Sequence, residues 1–394
     1  MKKRFIYLDN AATTPIRKEV LAAMKPFFQD VFGNPSSLHF QGRASKKVLE
    51  DSKKIISNIL NSKVEEIVFT AGGTESCNLA IFGLAQTFSK PQHIIVSSVE
   101  HPSVLEPTAE LERRGWQITR LPVSPEGSVS LESVKKAIRK ETVLISIMYA
   151  NNEIGTIQPI QEIGKLIFQI NSERIKRGLE KIYFHTDACQ ASGFLDLNVQ
   201  GLGVDMLTLN GSKIYGPKQT GLLFIKKNTP LRPLVLGGGQ ELGFRSGTEN
   251  VSGVVGFAKA LELAQKEKNK TTKRLFDLRQ YFIIQAEKNI PSFKINGFGL
   301  SSFKVLPNNI NFSIKGILGE DLVIYLDAKG VCVSTGSACS NLMGKNSYVL
   351  KAIGLEDKVQ KSSIRVSMGK DTTKQEIKHL IDSVKDSLKL ISNK

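Results

Sequence analysis

The chain has 394 residues, 41% of them hydrophobic, and carries 54 Lys and Arg against 37 Asp and Glu, a formal net charge of +17. That length exceeds one simple core and suits two lobes, and the composition is that of an ordinary soluble globular protein. No long uncharged apolar run reads as a membrane span. The basic residues are dispersed, as at Lys135-Lys136 and Lys226-Lys227, without the aromatic-interleaved stripe expected of a direct nucleic-acid partner such as tRNA.

Met1 to Arg4 has the charge of a signal n-region, but Phe5 to Leu8 is too short for its apolar core and Asp9 ends it, so a cytoplasmic location is expected. Tyr7 to Pro15 reads as a short strand running into a turn. Helices are expected over Glu19 to Phe28 and about Arg43 to Leu60, with the turn-forming Gly33-Asn34-Pro35-Ser36-Ser37 between them. Ile67 to Thr70 is a strand, and Ala71-Gly72-Gly73-Thr74-Glu75-Ser76 follows at once and opens a helix through Leu84. Free backbone N–H groups and the helix dipole suit an anion there, with a hydroxyl added by Thr74; a plain cap by Thr74 or Thr70 accounts for the same residues equally well.

Further strands are expected at His93–Ser98, Gly115–Pro122, Thr142–Tyr149, Ile182–Gln190 and Val204–Leu209, with helices over Leu131–Arg139 and about Ile160–Lys176. A glycine-rich loop covers Gly237 to Thr248, and Val251 to Lys288 is a long, largely helical stretch broken by the polar patch Lys266 to Lys273. The remainder reads as strand (Asn308–Ile314), helix (Gly319–Ala328), strand (Val331–Ser334), loop, short helix (Ser347–Ile353), strand (Ile364–Met368) and helix (Thr373–Ile391). This order predicts an α/β fold. A large domain, residues 15–254, holds a mostly parallel sheet between helices, and a smaller α+β domain is made of residues 1–14 and 255–394.

In open α/β sheets ligands sit off the carboxyl ends of strands. Thr74, His101, Asn152, Asp187, Gln190 and Lys213 all fall at such ends. Lys213, within Gly211-Ser212-Lys213-Ile214-Tyr215-Gly216-Pro217-Lys218, is the centre of the group. Partial burial beside other cations lowers a lysine's pKa and makes it a nucleophile, as needed for a Schiff base with pyridoxal phosphate (PLP); a basic surface turn is the plainer alternative. Asp187 needs a cationic or N–H partner if buried, which a protonated pyridine nitrogen would supply, though a helix N-cap or salt bridge would also serve. Cys77, Cys189, Cys332 and Cys339 form no C-x-x-C pair and have no histidine at ligand spacing, which argues against zinc and against a disulfide framework.

Taken together these segments resemble the cysteine desulfurases, a branch of the class V aminotransferase-like, fold-type I PLP enzymes. The likeness spans nearly the whole chain: Tyr7-Leu8-Asp9-Asn10-Ala11-Ala12-Thr13-Thr14-Pro15, Gly73-Thr74-Glu75-Ser76, Glu100-His101, Asn151-Asn152-Glu153-Ile154-Gly155-Thr156, Lys213 to Lys218, Arg245-Ser246-Gly247-Thr248, Gly336-Ser337-Ala338-Cys339 and Ser362-Ser363-Ile364-Arg365. The resemblance implies that Lys213 carries the cofactor and later moves the Cα proton. It implies that Asp187 pairs with the pyridine N–H, that His101 stacks on the ring and shuttles a proton, and that Gln190 meets the phenolate oxygen. Gly73, Thr74, Asn210 and Ser212 would hold the phosphate, with Thr248 reaching it from the other subunit of a homodimer. Asn152 and Arg365 would grip the carboxylate of L-cysteine, since an arginine fork makes paired bonds to carboxylates.

Cys339 separates this family from ordinary aminotransferases. Ser340 to Ser347 is a polar, glycine-containing loop whose length resembles that of the long-loop branch. The implied reaction takes sulfur from L-cysteine, leaves L-alanine, and holds the sulfur as a persulfide on Cys339. Acceptor proteins of Fe–S cluster assembly or tRNA thiolation would then take it. A selenocysteine lyase and a weakly catalytic sulfur-delivery scaffold are the alternatives. Cys332, in an apolar strand, and Cys77 and Cys189 read as packing residues. Two positions depart from the family's pattern, Ser212 where it usually has His and Gln219 where it usually has Gly.

Overall fold

The computed structural model describes residues 5–300, 302, 304–336 and 346–392. Its strands are, in chain order, β1 (Ile6–Tyr7), β2 (Ile67–Thr70), β3 (His93–Ser97), β4 (Gln117–Leu121), β5 (Thr142–Ser146), β6 (Tyr183–Asp187), β7 (Met206–Asn210), β8 (Gly221–Ile225), β9 (Phe293–Ile295), β10 (Asn309–Ile314), β11 (Val331–Cys332) and β12 (Ser363–Ser367). Seven of them form one sheet in the order β2-β8-β7-β6-β5-β3-β4. The five from β7 to β4 pair in parallel, and β8 runs antiparallel to both its neighbours, β2 and β7. β8 was not expected from the sequence. Its run Gly-Leu-Leu-Phe-Ile follows the turn after Lys213 closely and has no polar alternation to mark it.

Both faces of this sheet are buried. Ile95, Leu222 and Phe224 face one apolar core, while Ile94, Val96 and Leu223 face another across the sheet. Strands covered on both faces read as continuous apolar runs, which is why their existence shows in the sequence and their faces do not. Two buried histidines tie the sheet laterally. His93 on β3 joins Thr119 on β4 and Thr142 on β5, each at 2.8 Å. His185 on β6 joins Ser146 on β5 at 2.8 Å and Thr208 on β7 at 3.0 Å.

Burial lowers both imidazoles to a pKa of about 4. In the unfolded chain they take up protons near pH 6.5. Between those two values the unfolded state binds more protons, so stability falls as the solution is acidified. The unfolding free energy obtained from urea titrations should therefore drop between pH 7 and pH 5, by roughly 1–2 kcal/mol for each histidine. His185→Gln should flatten that slope; an unchanged slope would refute the assignment.

A second core gathers Leu8, Ile310, Phe312, Val331, Ile364, Val366, Ile377 and Leu380. It lies among the antiparallel sheet β12-β10-β9, the parallel pair β1-β11, and helices Gly319–Ala328 and Lys374–Ser392. One helix, Val251–Asn289, joins the two regions: Val251, Val254, Phe257 and Leu261 pack in the first core, and Leu275, Phe282, Ile283 and Ala286 in the second. The polar stretch Lys266–Lys273, expected to break it, runs through without interruption. No residue from 262 to 274 is buried, and its Lys and Glu are good helix formers. The expected helix Glu19–Phe28 is instead two, Lys18–Met24 and Pro26–Gln29, because Pro26 cannot continue the first. Among the described residues no helix is long and apolar enough to cross a membrane.

Candidate active site

The parallel strands deliver their carboxyl ends to one edge of the sheet. Asp187 ends β6 and Asn210 ends β7; Lys213 closes the 3₁₀ turn Gly211–Lys213 that follows. His101 caps helix Pro102–Arg113 just after β3, and Gly73 begins helix Gly73–Asn78 just after β2. From the second region β12 brings Arg365. Gly73, Thr74, His101, Asn152, Asp187, Gln190, Asn210, Lys213 and Arg365 line one cleft of about 210 Å³, together with Ala11, Ala12, Ser103 and Cys189.

Lys213 Nζ donates to the carbonyls of Ala11 at 3.0 Å and Ala12 at 2.5 Å. Burial holds its ammonium below the usual lysine value, and the Arg365 cation acts in the same sense. Gln190 Nε2 donates to the same Ala11 carbonyl at 2.9 Å. His101 Nδ1 accepts the Ser103 backbone N–H at 3.1 Å and lies 2.8 Å from Ser103 Oγ. An accepting Nδ1 leaves the proton of the neutral ring on Nε2, and burial favours that neutral ring by lowering the imidazole pKa.

Asp187 is 7% exposed, and its Oδ1 accepts the Cys189 N–H at 2.9 Å. Cys77 Sγ stands 3.8 Å from Oδ2, and burial pushes that thiol well above its usual pKa, so it faces Asp187 as a neutral S–H. Arg365 is 1% exposed; Nη1 donates to Asn152 O at 3.1 Å and Nη2 to Asp9 Oδ1 at 2.7 Å. Its Nε, and Asn152 Oδ1, are buried without a hydrogen-bond partner among the described residues. Buried polar atoms left open in a cleft mark where a ligand would complete them.

Beside the cleft, Thr13, Gly72, Gly73, Thr74, Asn210, Ser212, Lys218 and Gln219 line a second hollow. The backbone is bare here for a reason. A Cβ on Gly73 would stand 2.9 Å from Cys189 Sγ, and one on Gly221 would stand 2.5 Å from the Gly72 backbone. Ser212 donates both its N–H (3.2 Å) and its hydroxyl (3.1 Å) to Asn210 Oδ1. Gln219 sits at φ 56°, in the left-handed region that favours glycine. Gln219→Gly should therefore raise stability by about 1 kcal/mol, read as a higher urea midpoint; a lower midpoint would show that the side chain, not the backbone, decides this turn.

Thr248 lines a third hollow on this chain, with Ala71, Gln219 and Arg245, and does not reach the cleft. Cys339 lies outside the described residues. Four contributors carried no expected role: the Ala11 and Ala12 carbonyls, Ser103 and Asp9. Their motifs were visible, but a carbonyl leaves no trace in residue type, and Asp9 and Arg365 are 356 positions apart. Cys189, read as packing, lines the cleft.

The cleft gathers an amine, a carboxylate and an imidazole at the strand ends of an α/β sheet, and residues 6–380 match the Aminotransferase class-V family. Cysteine desulfurase IscS of Dictyoglomus turgidum is 49% identical over 381 residues, covering 96% of this chain and 93% of that protein. Cysteine desulfurase IscS of Methanosarcina thermophila is 42% identical over 393 residues, covering 100% and 94%. Among solved structures a NifS-like protein superposes with a TM-score of 0.90 at 33% identity, covering 98% of this chain and 100% of that one. SspA in complex with cysteine superposes at 0.79 with 35% identity, covering 92% and 98%. The chain belongs to the class-V aminotransferases and, within them, to the cysteine desulfurases.

Proposed function

We propose that this chain is a PLP-dependent L-cysteine desulfurase that forms L-alanine and holds the sulfur as a persulfide on Cys339. The observation that carries the reading is the meeting of Lys213, Asp187, His101, Asn152 and Arg365 in one cleft. The donor set fits the cofactor: an amine of lowered pKa, a buried carboxylate for a pyridine nitrogen, and a glycine-lined hollow with Thr74, Asn210 and Ser212 for a phosphate. When bound, PLP supplies the electron sink that makes the Cα–H and Cβ–S bonds of the amino acid labile.

The chain's own residues do the rest. Arg365 and Asn152 hold the substrate carboxylate and so fix which Cα bond faces Lys213 Nζ. Lys213, released from the Ala11 and Ala12 carbonyls, moves the Cα proton. His101 carries a proton at Nε2, because Ser103 occupies Nδ1. The Cys339 thiol takes the substrate sulfur: the C–S bond breaks, an S–S bond forms, and the alanine methyl gains a proton. Gln190 would meet the cofactor's phenolate oxygen. Thr248 of a partner copy completes the phosphate hollow, in a cytoplasmic homodimer built from a large domain (15–254) and a small domain (1–14 and 255–394). Proteins of Fe–S assembly or tRNA thiolation receive the sulfur. Incubation of the PLP-loaded protein with L-cysteine and a reductant should release alanine and sulfide in equal amounts. Absence of alanine would refute the reading.

A further inference from the structure

Glu153 follows Asn152 directly and is fully buried. Its backbone is fixed on both sides. Asn151 Oδ1 accepts the N–H groups of Glu153 and Ile154 at 2.8 and 3.0 Å, and Asn311 Nδ2 donates to Glu153 O at 3.2 Å. Its carboxylate oxygen Oε2 accepts the Ser347 hydroxyl at 2.6 Å. A Cβ built on Gly336 would stand 3.3 Å from that same oxygen. Gly336 is the last described residue before 337–345, the segment holding Cys339, and Ser347 follows that segment closely.

Other contacts key both flanks to the cleft. Before the segment, Ser334 and Arg365 bond each other through their backbones, at 3.2 Å and 2.6 Å. After it, the Tyr348 hydroxyl donates to Glu100 O at 2.7 Å, one residue ahead of His101. Val349, Leu350 and Ile353 then pack on Val99, Met148 and Ile154. The far flank thus rests on the two corners that carry His101 and Asn152, and the near flank on the strand that carries Arg365. A buried carboxylate is costly unless its oxygens are bonded, so an ordinary core position would not retain one.

We propose that Glu153 is a positioning residue for sulfur transfer: by holding Ser347, next to a Gly336 whose missing side chain leaves room for the same oxygen, it fixes the flank that follows the Cys339 segment relative to the substrate clamp Asn152–Arg365. This rests on the reading of Cys339 as the sulfur acceptor. A nucleophile displaced by about 1 Å loses on the order of 100-fold in rate, so the flanks matter as much as the thiol.

The test compares Glu153→Ala, Glu153→Gln and Ser347→Gly with the parent as PLP-loaded enzymes. Glycine is tolerated at the N-cap position that Ser347 occupies, so Ser347→Gly removes chiefly the link and serves if Glu153→Ala does not fold. Two readouts are taken: kcat and KM for L-cysteine, and the rate at which iodoacetamide alkylates Cys339 without substrate, located by mass spectrometry. Glu153→Ala and Ser347→Gly should lower kcat about 10- to 100-fold while KM stays within about threefold, and should shift the alkylation rate by more than about threefold. Glu153→Gln, which can still accept from Ser347, should recover most of both. An unchanged kcat and alkylation rate in Ser347→Gly would overturn the proposal. So would a parallel loss of PLP affinity and KM, which marks mere support of the cleft. Continued alanine formation by Cys339→Ser would instead overturn the underlying reading, whatever Glu153 does.

Discussion

Lys213→Ala should remove the cofactor's visible absorbance band from the PLP-incubated protein and lower alanine formation from L-cysteine. The loss of proton transfer alone is worth about 10²–10⁴-fold. The reasons are in the geometry. Lys213 is the lysine that lines the cleft, and the two carbonyls that hold it come from the Asp9–Pro15 turn rather than from acidic side chains. Carbonyls orient the amine without adding a negative charge to keep it protonated. Burial then lowers its pKa, so more of the free amine is present at neutral pH than on an exposed lysine. Lys213→Arg should not rescue, since a guanidinium stays protonated and cannot act as nucleophile or base. A Lys213→Ala protein that keeps both colour and rate would mean that another amine holds the cofactor.

Cys339→Ser should abolish sulfur transfer and leave substrate binding nearly intact. A serine hydroxyl is not ionised at neutral pH and cannot accept sulfur as a thiolate does. On the proposed reading the substrate carboxylate is held by other residues, Asn152 and Arg365, so cysteine should still perturb the visible spectrum of the loaded variant. Alanine production by single-turnover assay should fall to the background without enzyme. Cys77 and Cys189 do not substitute: burial pushes both thiols well above their usual pKa, which keeps them protonated. A variant that still supports sulfur delivery in a partner assay would favour the scaffold alternative. A variant that loses cysteine binding along with turnover would show that Cys339 belongs to the clamp.

Local chemistry made part of this site legible. A glycine pair after β2, a histidine after β3 and a carboxylate ending β6 are adjacent in sequence to the strands that place them, so strand and residue are read together. Their convergence follows from one rule: parallel strands alternating with helices send every carboxyl end to the same edge. Arg365 was legible by resemblance, since nothing near it in sequence announces a cleft. The antiparallel β8 and the unbroken helix Val251–Asn289 were not legible. The first hides in an apolar run too short to orient, and the second carries a polar stretch whose meaning depends on what lies on either side.

What the sequence determined by itself, then, is the set of chemical groups and the fold that gathers them: Lys213, Asp187, His101, Thr74 and Asn152 each lie within a few residues of a strand end. What only the tertiary structure decided is how those groups are held. Lys213 leans on Ala11 and Ala12, Arg365 is shared between Asp9 and Asn152, and Glu153 reaches Ser347 across 194 positions. Bonds of that span leave no periodicity in the chain, because each is satisfied only after both partners have been buried together, and a buried polar group takes whichever partner the packing brings.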